Sequence, residues 1–209
     1  MAEAPRRLAR RLHSLTGVVP VGVFLVFHLA ANTEARKGAD AYNAMTRQLH
    51  SVPLLVAIEI LLIAAPLFFH GIYGLFLIAA EPADSGRSPQ TLSRGRRAIG
   101  IAQRATGIVL FAFLLLHLWT ARLVQIHDHE SLDLFRLMQA ALANPWIRAA
   151  YVAGILSATF HLSTGLYTFA ETWGLAVGTR ARRLVAATSA IVFAGLTAMG
   201  LSTLSAFRL

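Results

Sequence analysis

The sequence predicts an all-α membrane protein: a five-transmembrane-helix bundle with its N-terminus in the cytoplasm and its C-terminus outside. Three observations carry this prediction. The 209 residues are 56% hydrophobic and only 14% charged, with a mean hydropathy of +0.59; a soluble domain of this length needs more polar cover. The apolar residues gather into five stretches, each close to the roughly 20 residues a helix needs to cross hydrocarbon. The net charge of +9 is almost all arginine, with Lys37 the one lysine. It clusters between the apolar stretches, which is a pattern of membrane topology and not of nucleic-acid binding. There are no cysteines. That excludes a disulfide framework, a thiolate zinc site, a covalently attached c-type haem and any iron–sulfur cluster on this chain.

In chain order the spans are expected at about Leu15–Ala31, Val52–Ala80, Ile101–Val124, Ile147–Trp173 and Leu184–Phe207. The second and fourth are long enough to tilt or to extend past the membrane surface. No linker, low-complexity run or internal repeat divides them, so residues 1–209 read as one domain. The basic segments alternate. Arg6, Arg7, Arg10 and Arg11 precede the first span; Arg87, Arg94, Arg96, Arg97 and Arg104 lie between the second and third; Arg180, Arg182 and Arg183 lie between the fourth and fifth. The other two connections mix acids and bases. By the positive-inside rule the basic side is cytoplasmic. The first span is expected to be retained, since Leu29-Ala30-Ala31 is a poor cleavage pattern and His28 interrupts the apolar run.

Four histidines lie within apolar helices, each on a different one: His28, His70, His117 and His161. An ionisable group at membrane depth is costly unless paired or liganded. At about 1.5 Å per residue, His28 lies roughly 6 Å before Asn32 and His117 roughly 8 Å before Arg122, both near the outer ends of their helices. His70 and His161 each lie roughly 15 Å from the cytoplasmic ends of theirs. The histidines therefore sort into an outer pair, His28 with His117, and an inner pair, His70 with His161. Facing imidazoles in a bundle are what bis-histidine haem b requires, with an apolar slot for the porphyrin. Gly17, Gly74, Gly154 and Gly165 fall on the histidine faces and are candidates for making that slot. Glu59 precedes His70 by eleven residues, about three turns, and is expected to point into the bundle near the outer pair. A membrane carboxylate commonly handles protons, which two-electron quinone chemistry needs.

These residues sit in recognisable strings: Arg10 to Leu29 (RRLHSLTGVVPVGVFLVFHL), Glu59-Ile60, His70-Gly71-Ile72-Tyr73-Gly74, Gln103-Arg104-Ala105-Thr106-Gly107-Ile108, His117-Leu118-Trp119, Ser157-Ala158-Thr159-Phe160-His161, Gly165-Leu166 and Thr172-Trp173-Gly174. Together they resemble the di-haem cytochrome b membrane-anchor subunits of Bacillus-type succinate dehydrogenases, which are related to the di-haem fumarate reductases. The resemblance implies axial haem ligation by the four histidines and residence in a bacterial cytoplasmic membrane. It also implies an iron–sulfur subunit docked on the cytoplasmic face, reduced by a flavoprotein that oxidises succinate. FAD and iron–sulfur clusters are thereby implied only on partner subunits. Electrons would pass through the inner and then the outer haem to a quinone, with menaquinone expected, near the outer side. Glu59 is the implied quinone-protonation residue, and His13 and Ser14 are implied contacts of the inner-haem propionates. Thr159 and Phe160 stand where the fumarate reductases carry a further membrane carboxylate, which favours a dehydrogenase.

Two other functions fit parts of the pattern: a di-haem cytochrome b of a formate dehydrogenase or hydrogenase, and a histidine-dependent proton or metal transporter. The chain offers no flavin or nucleotide fingerprint. The run His127-Asp128-His129-Glu130 is a weak candidate metal site, and the amphipathic segment Leu132–Leu142 is expected to lie on the outer interface.

Overall fold

The computed structural model describes residues 3–80, 94–123 and 133–208; Arg87 and the run His127–Glu130 lie outside them. Among the described residues, five helical spans are long and apolar enough to cross a membrane: Arg7–Lys37, Leu55–Ala80, Gly95–Ala121, Pro145–Thr172 and Gly178–Ala206.

The first span comprises α1 (Glu3–Val18) and α2 (Pro20–Asn32), followed by a 3₁₀ turn, Thr33–Lys37. Pro20 has no N–H to offer the turn before it, so the ladder is interrupted there. The bonds Val19 N–H to Leu15 O (2.8 Å) and Val23 N–H to Val19 O (3.3 Å) carry the helix across the gap. Gly38, at φ 103°, reverses the chain into α3 (Ala39–His50), a helix where the sequence suggested only a mixed connection.

The second span begins at Leu55, not Val52, because Pro53 and the left-handed Leu54 (φ 58°) belong to a turn. It runs as α4 (Leu55–Ile58), a π-helical segment Glu59–Ala64 and α5 (Ala65–Ala80). Pro66 accounts for the widening. A proline ring would press on the carbonyl four residues earlier and leave it without a donor. A π turn relieves both problems, and the Ala65 N–H accordingly reaches Ile60 O, five residues back.

The third span is α6 (Arg94–Leu118), ending in a second π turn, Trp119–Leu123. It starts earlier than Ile101 because arginine is a good helix former and extends the helix beyond the apolar stretch. A short helix α7 (Leu134–Ala143) precedes the fourth span, α8 (Pro145–Thr172). Asn144 caps α8, its Oδ1 accepting from Trp146 N–H (2.9 Å) and Ile147 N–H (3.4 Å), with Pro145 in the first turn where its missing N–H costs nothing. The fifth span is α9 (Gly178–Ala206).

The first four spans form a ring in which α1 packs on α5 and α8, α5 on α6, and α6 on α8. The fifth lies outside this ring against α8, α2 and the 3₁₀ turn. Its seam with α8 uses small and hydroxyl residues, as membrane helix pairs do in the absence of a hydrophobic driving force. Thr159 is fully buried there, its Oγ1 2.8 Å from Thr197 Oγ1, and Phe160 meets Phe193 edge-on at 5.9 Å. The two residues before His161 thus serve the fifth helix. Large apolar side chains such as Leu61, Phe76 and Ile191 are exposed on the outside of the bundle, the side a membrane helix turns to lipid.

At the end away from the N-terminus, α3 and α7 form a cap. Its core contains Ala35, Tyr42, Leu134, Met138, Leu142, Tyr151 and Phe207. Asn43 joins the two helices, its Nδ2 donating to Asp133 Oδ1 (2.8 Å) and its Oδ1 accepting from Phe135 N–H (3.1 Å). The amphipathic face expected on the outer interface is therefore buried against protein. At the opposite end the Arg11 guanidinium lies 5.6 Å from the centre of the Trp173 ring.

Candidate functional site

The ring of four helices brings the four half-buried histidines together across its two diagonals. His70 on α5 and His161 on α8 have ring centres 6.1 Å apart with planes at 85°. His28 on α2 and His117 on α6 have centres 5.7 Å apart with planes at 84°. Metal–imidazole bonds of about 2.0–2.1 Å, with roughly 1.1 Å from nitrogen to ring centre, set two imidazoles on opposite sides of one ion about 6.3 Å apart. Both pairs are near that spacing. Among the described residues no group of three or more His, Cys, Asp or Glu side chains could hold a bare ion. Two-nitrogen donor sets suit a metal that brings its own equatorial ligands, as iron in a porphyrin does.

The inner histidines are locked by main-chain acceptors on neighbouring helices. His70 Nδ1 lies 2.9 Å from the His13 carbonyl oxygen and His161 Nδ1 3.0 Å from that of Gln103. A carbonyl only accepts, so each Nδ1 carries the proton and each Nε2 keeps its lone pair, the state a metal ligand needs. Gln103 returns a bond, Nε2 to His161 O at 3.1 Å. Its Oε1 is buried without a partner among the described residues, an acceptor open to a donor from a bound group. The His13 ring stacks on His70 with centres 4.1 Å apart and planes within 4°. Ser14 follows on α1, half-buried.

Glycines make room for these rings. A Cβ at Gly17 would overlap the His70 ring, coming within 2.6 Å of Nδ1, and one at Gly107 would lie 3.1 Å from His161 Cε1. Gly74 faces His13 Nε2 at 3.0 Å. Gly154, expected beside a porphyrin slot, instead accommodates the ring of Phe113, and Gly165 faces Gln103 Nε2 at 3.7 Å.

The outer pair is held by side chains. His117 Nδ1 is 3.3 Å from Tyr151 Oη, which is 2.6 Å from Thr120 Oγ1. Beside His28, Asn32 Nδ2 donates to the His28 carbonyl (2.7 Å) and its Oδ1 accepts from Tyr42 Oη (3.0 Å). Burial, then the neighbouring phenol of Tyr151, pushes Tyr42 up to about 12, so it remains a donor at neutral pH. Glu59 is half-buried and opens the π segment, which packs against α2, the helix of His28. Because that segment is wider than an α-helix, the eleven-residue spacing does not by itself fix where Glu59 lies relative to His70. Thr120, Tyr151 and Tyr42 surround the histidines without having been singled out in the sequence, where Gln103 and Gly107 figured only within a recognised string and Asn32 only as a helix end. A polar residue one turn from a histidine within an apolar helix (Asn32, Thr120) was the available signal.

Residues 98–198 match the family described as the succinate dehydrogenase/fumarate reductase transmembrane subunit. The chain is 37% identical over 199 residues, 95% of each protein, to the succinate dehydrogenase cytochrome b558 subunit of Bacillus subtilis (strain 168). The chain belongs to the succinate dehydrogenase/fumarate reductase transmembrane-subunit family. Its five apolar spans are those of an integral membrane subunit of this family. The formate dehydrogenase, hydrogenase and transporter alternatives gain no support from these comparisons.

Proposed function

We propose that this chain is the di-haem cytochrome b membrane anchor of a succinate dehydrogenase, located in a bacterial cytoplasmic membrane. The observation that carries the reading is the meeting of two imidazole pairs across the two diagonals of one four-helix ring, at 6.1 and 5.7 Å. The curated relative is itself described as a cytochrome b558 subunit. When bound, two b haems supply one-electron carriers at two depths between an iron–sulfur subunit on the cytoplasmic face and a quinone, expected to be menaquinone, near the outer side.

The chain's own residues then have distinct tasks. His70 and His161 present Nε2 at the inner level, with Nδ1–H given to the His13 and Gln103 carbonyls. His28 and His117 are the ligand pair at the outer level, His117 with Nδ1 3.3 Å from Tyr151 Oη and His28 with Nε2 3.4 Å from Asn32 Nδ2. The arginines at the N-terminal end orient the bundle by the positive-inside rule, putting that end in the cytoplasm and the C-terminus outside, and their charge suits the docking of a partner subunit. His13 and Ser14 stand at the inner level for propionate contact. Glu59, on the segment against the His28 helix, takes and gives protons at the quinone. Succinate oxidation belongs to the flavoprotein partner.

The test uses anaerobic membranes containing the assembled complex. Succinate should reduce both b haems and then added menaquinone, and His70→Ala should abolish both reductions while succinate still reduces a soluble dye. Menaquinone reduction at the normal rate in His70→Ala would contradict the reading.

A further inference from the structure

Hydrogen-bond directions around His117 follow from the chemistry of the groups. Thr120 Oγ1 lies 3.0 Å from the Leu116 carbonyl and 3.4 Å from that of His117. Both oxygens only accept, so the single hydroxyl proton of Thr120 is committed to the main chain. Tyr151 Oη lies 2.6 Å from Thr120 Oγ1, in a buried contact. With its proton committed, Thr120 accepts and Tyr151 donates. The phenol oxygen therefore turns a lone pair toward His117 Nδ1, 3.3 Å away. Nδ1 must carry the proton, and Nε2 keeps the lone pair.

We infer that Tyr151 is a positioning residue for His117, with Thr120 setting the direction of its hydrogen bond, so that this relay fixes the tautomer of the outer histidine and tunes the iron it holds. The inference rests on His117 being an outer-haem ligand. It reaches further because the two levels differ in kind. The inner histidines give Nδ1–H to main-chain carbonyls, which no side-chain substitution removes. His117 gives its proton to a side chain whose polarity depends on a second side chain. Neighbours of ligating histidines set ring orientation and ligand basicity, and ligand basicity is one of the protein's levers on haem potential. The outer haem is thus the one whose properties substitutions at positions 120 and 151 can change.

The experiment is a potentiometric titration, with low-temperature EPR, of the detergent-solubilised complex. Tyr151→Phe removes the acceptor, leaves the imidazole less electron-rich, and should raise the outer-haem midpoint while the inner one stays. Thr120→Val is close in shape but leaves the phenol proton without its acceptor, so that it turns toward His117 Nδ1. The outer midpoint should rise again, or the outer haem should be lost. Thr120→Ser keeps the hydroxyl and should match the parent in both midpoints and EPR signals. Unmoved outer midpoints in Tyr151→Phe and Thr120→Val, with both haems present, would overturn the inference. So would Thr120→Ser behaving as Thr120→Val, which would make the effect steric. If Tyr151→Phe fails to assemble, the Val and Ser variants decide. His117→Ala serves as the control: retention of both haems there would overturn the ligand assignment and the inference with it, whereas loss of one haem with unmoved midpoints elsewhere would overturn the inference alone.

Discussion

His161 and Gln103 hold each other in both directions. The imidazole Nδ1 lies 3.0 Å from the Gln103 carbonyl, and the Gln103 amide Nε2 lies 3.1 Å from the His161 carbonyl. The first bond belongs to the main chain and survives any substitution at position 103, whereas the second does not. Gln103→Leu should therefore retain both haems and cost the inner level about 1 kcal/mol, the usual net worth of one hydrogen bond. Thermal release of haem should begin at a lower temperature for the inner haem only. Equal loosening of both haems would show that Gln103 acts on the bundle as a whole.

Close approach at Gly17 gives a sharper test of the inner level. A methyl there overlaps the His70 ring, and α1 and α5 have to separate or the ring has to turn. Gly17→Ala should lose the inner haem and keep the outer. Gly195→Ala, on the fifth span with nothing within 4 Å of its Cβ position, should leave both haems and the thermal stability unchanged.

The cap has a pH signature. The Asn43 amide, then the Arg136 N–H, holds Asp133 below its usual value. A carboxyl depressed in the folded state contributes stability that is full above its unfolded pKa, near 3.8, and is lost as pH falls through the lower folded value. Asp133→Asn should weaken protection of α3 and α7 in hydrogen exchange at neutral pH, and the difference from the parent should vanish once the solution is acid enough to protonate Asp133. A difference that persisted unchanged into strong acid would remove the charge from the explanation.

The proposed proton role of Glu59 at the quinone has a direct test. Glu59→Gln keeps the size and loses the ionisable proton. With haem content normal, it should slow menaquinone reduction at least about tenfold, within the range of general acid–base contributions, while succinate still reduces both haems. An unchanged quinone rate would assign proton handling to another group.

Much of the fold was legible because membrane spans are set by length and hydropathy, which can be read locally. The histidine depths were legible for the same reason: a rise of about 1.5 Å per residue already sorts His28 with His117 and His70 with His161, the pairs whose rings meet. Rotation about the helix axis was not. Pro66 widens Glu59–Ala64 into a π turn, so straight-helix spacing does not fix the direction of Glu59. Thr120 and Tyr151 are ordinary residues of apolar helices until the packing of α6 on α8 brings their oxygens to 2.6 Å. Helix α3 was obscured by its charge, although Tyr42, Met45 and Leu49 recur at helical spacing and the first two contribute to the cap core.

The most direct test is the reduced-minus-oxidised spectrum of the purified protein with haem stoichiometry, measured on the parent and on His70→Ala and His28→Ala. The parent should carry two b haems per chain and each variant one, with different haems remaining. A folded parent preparation with fewer than two haems, or a variant that keeps both, would contradict the di-haem reading.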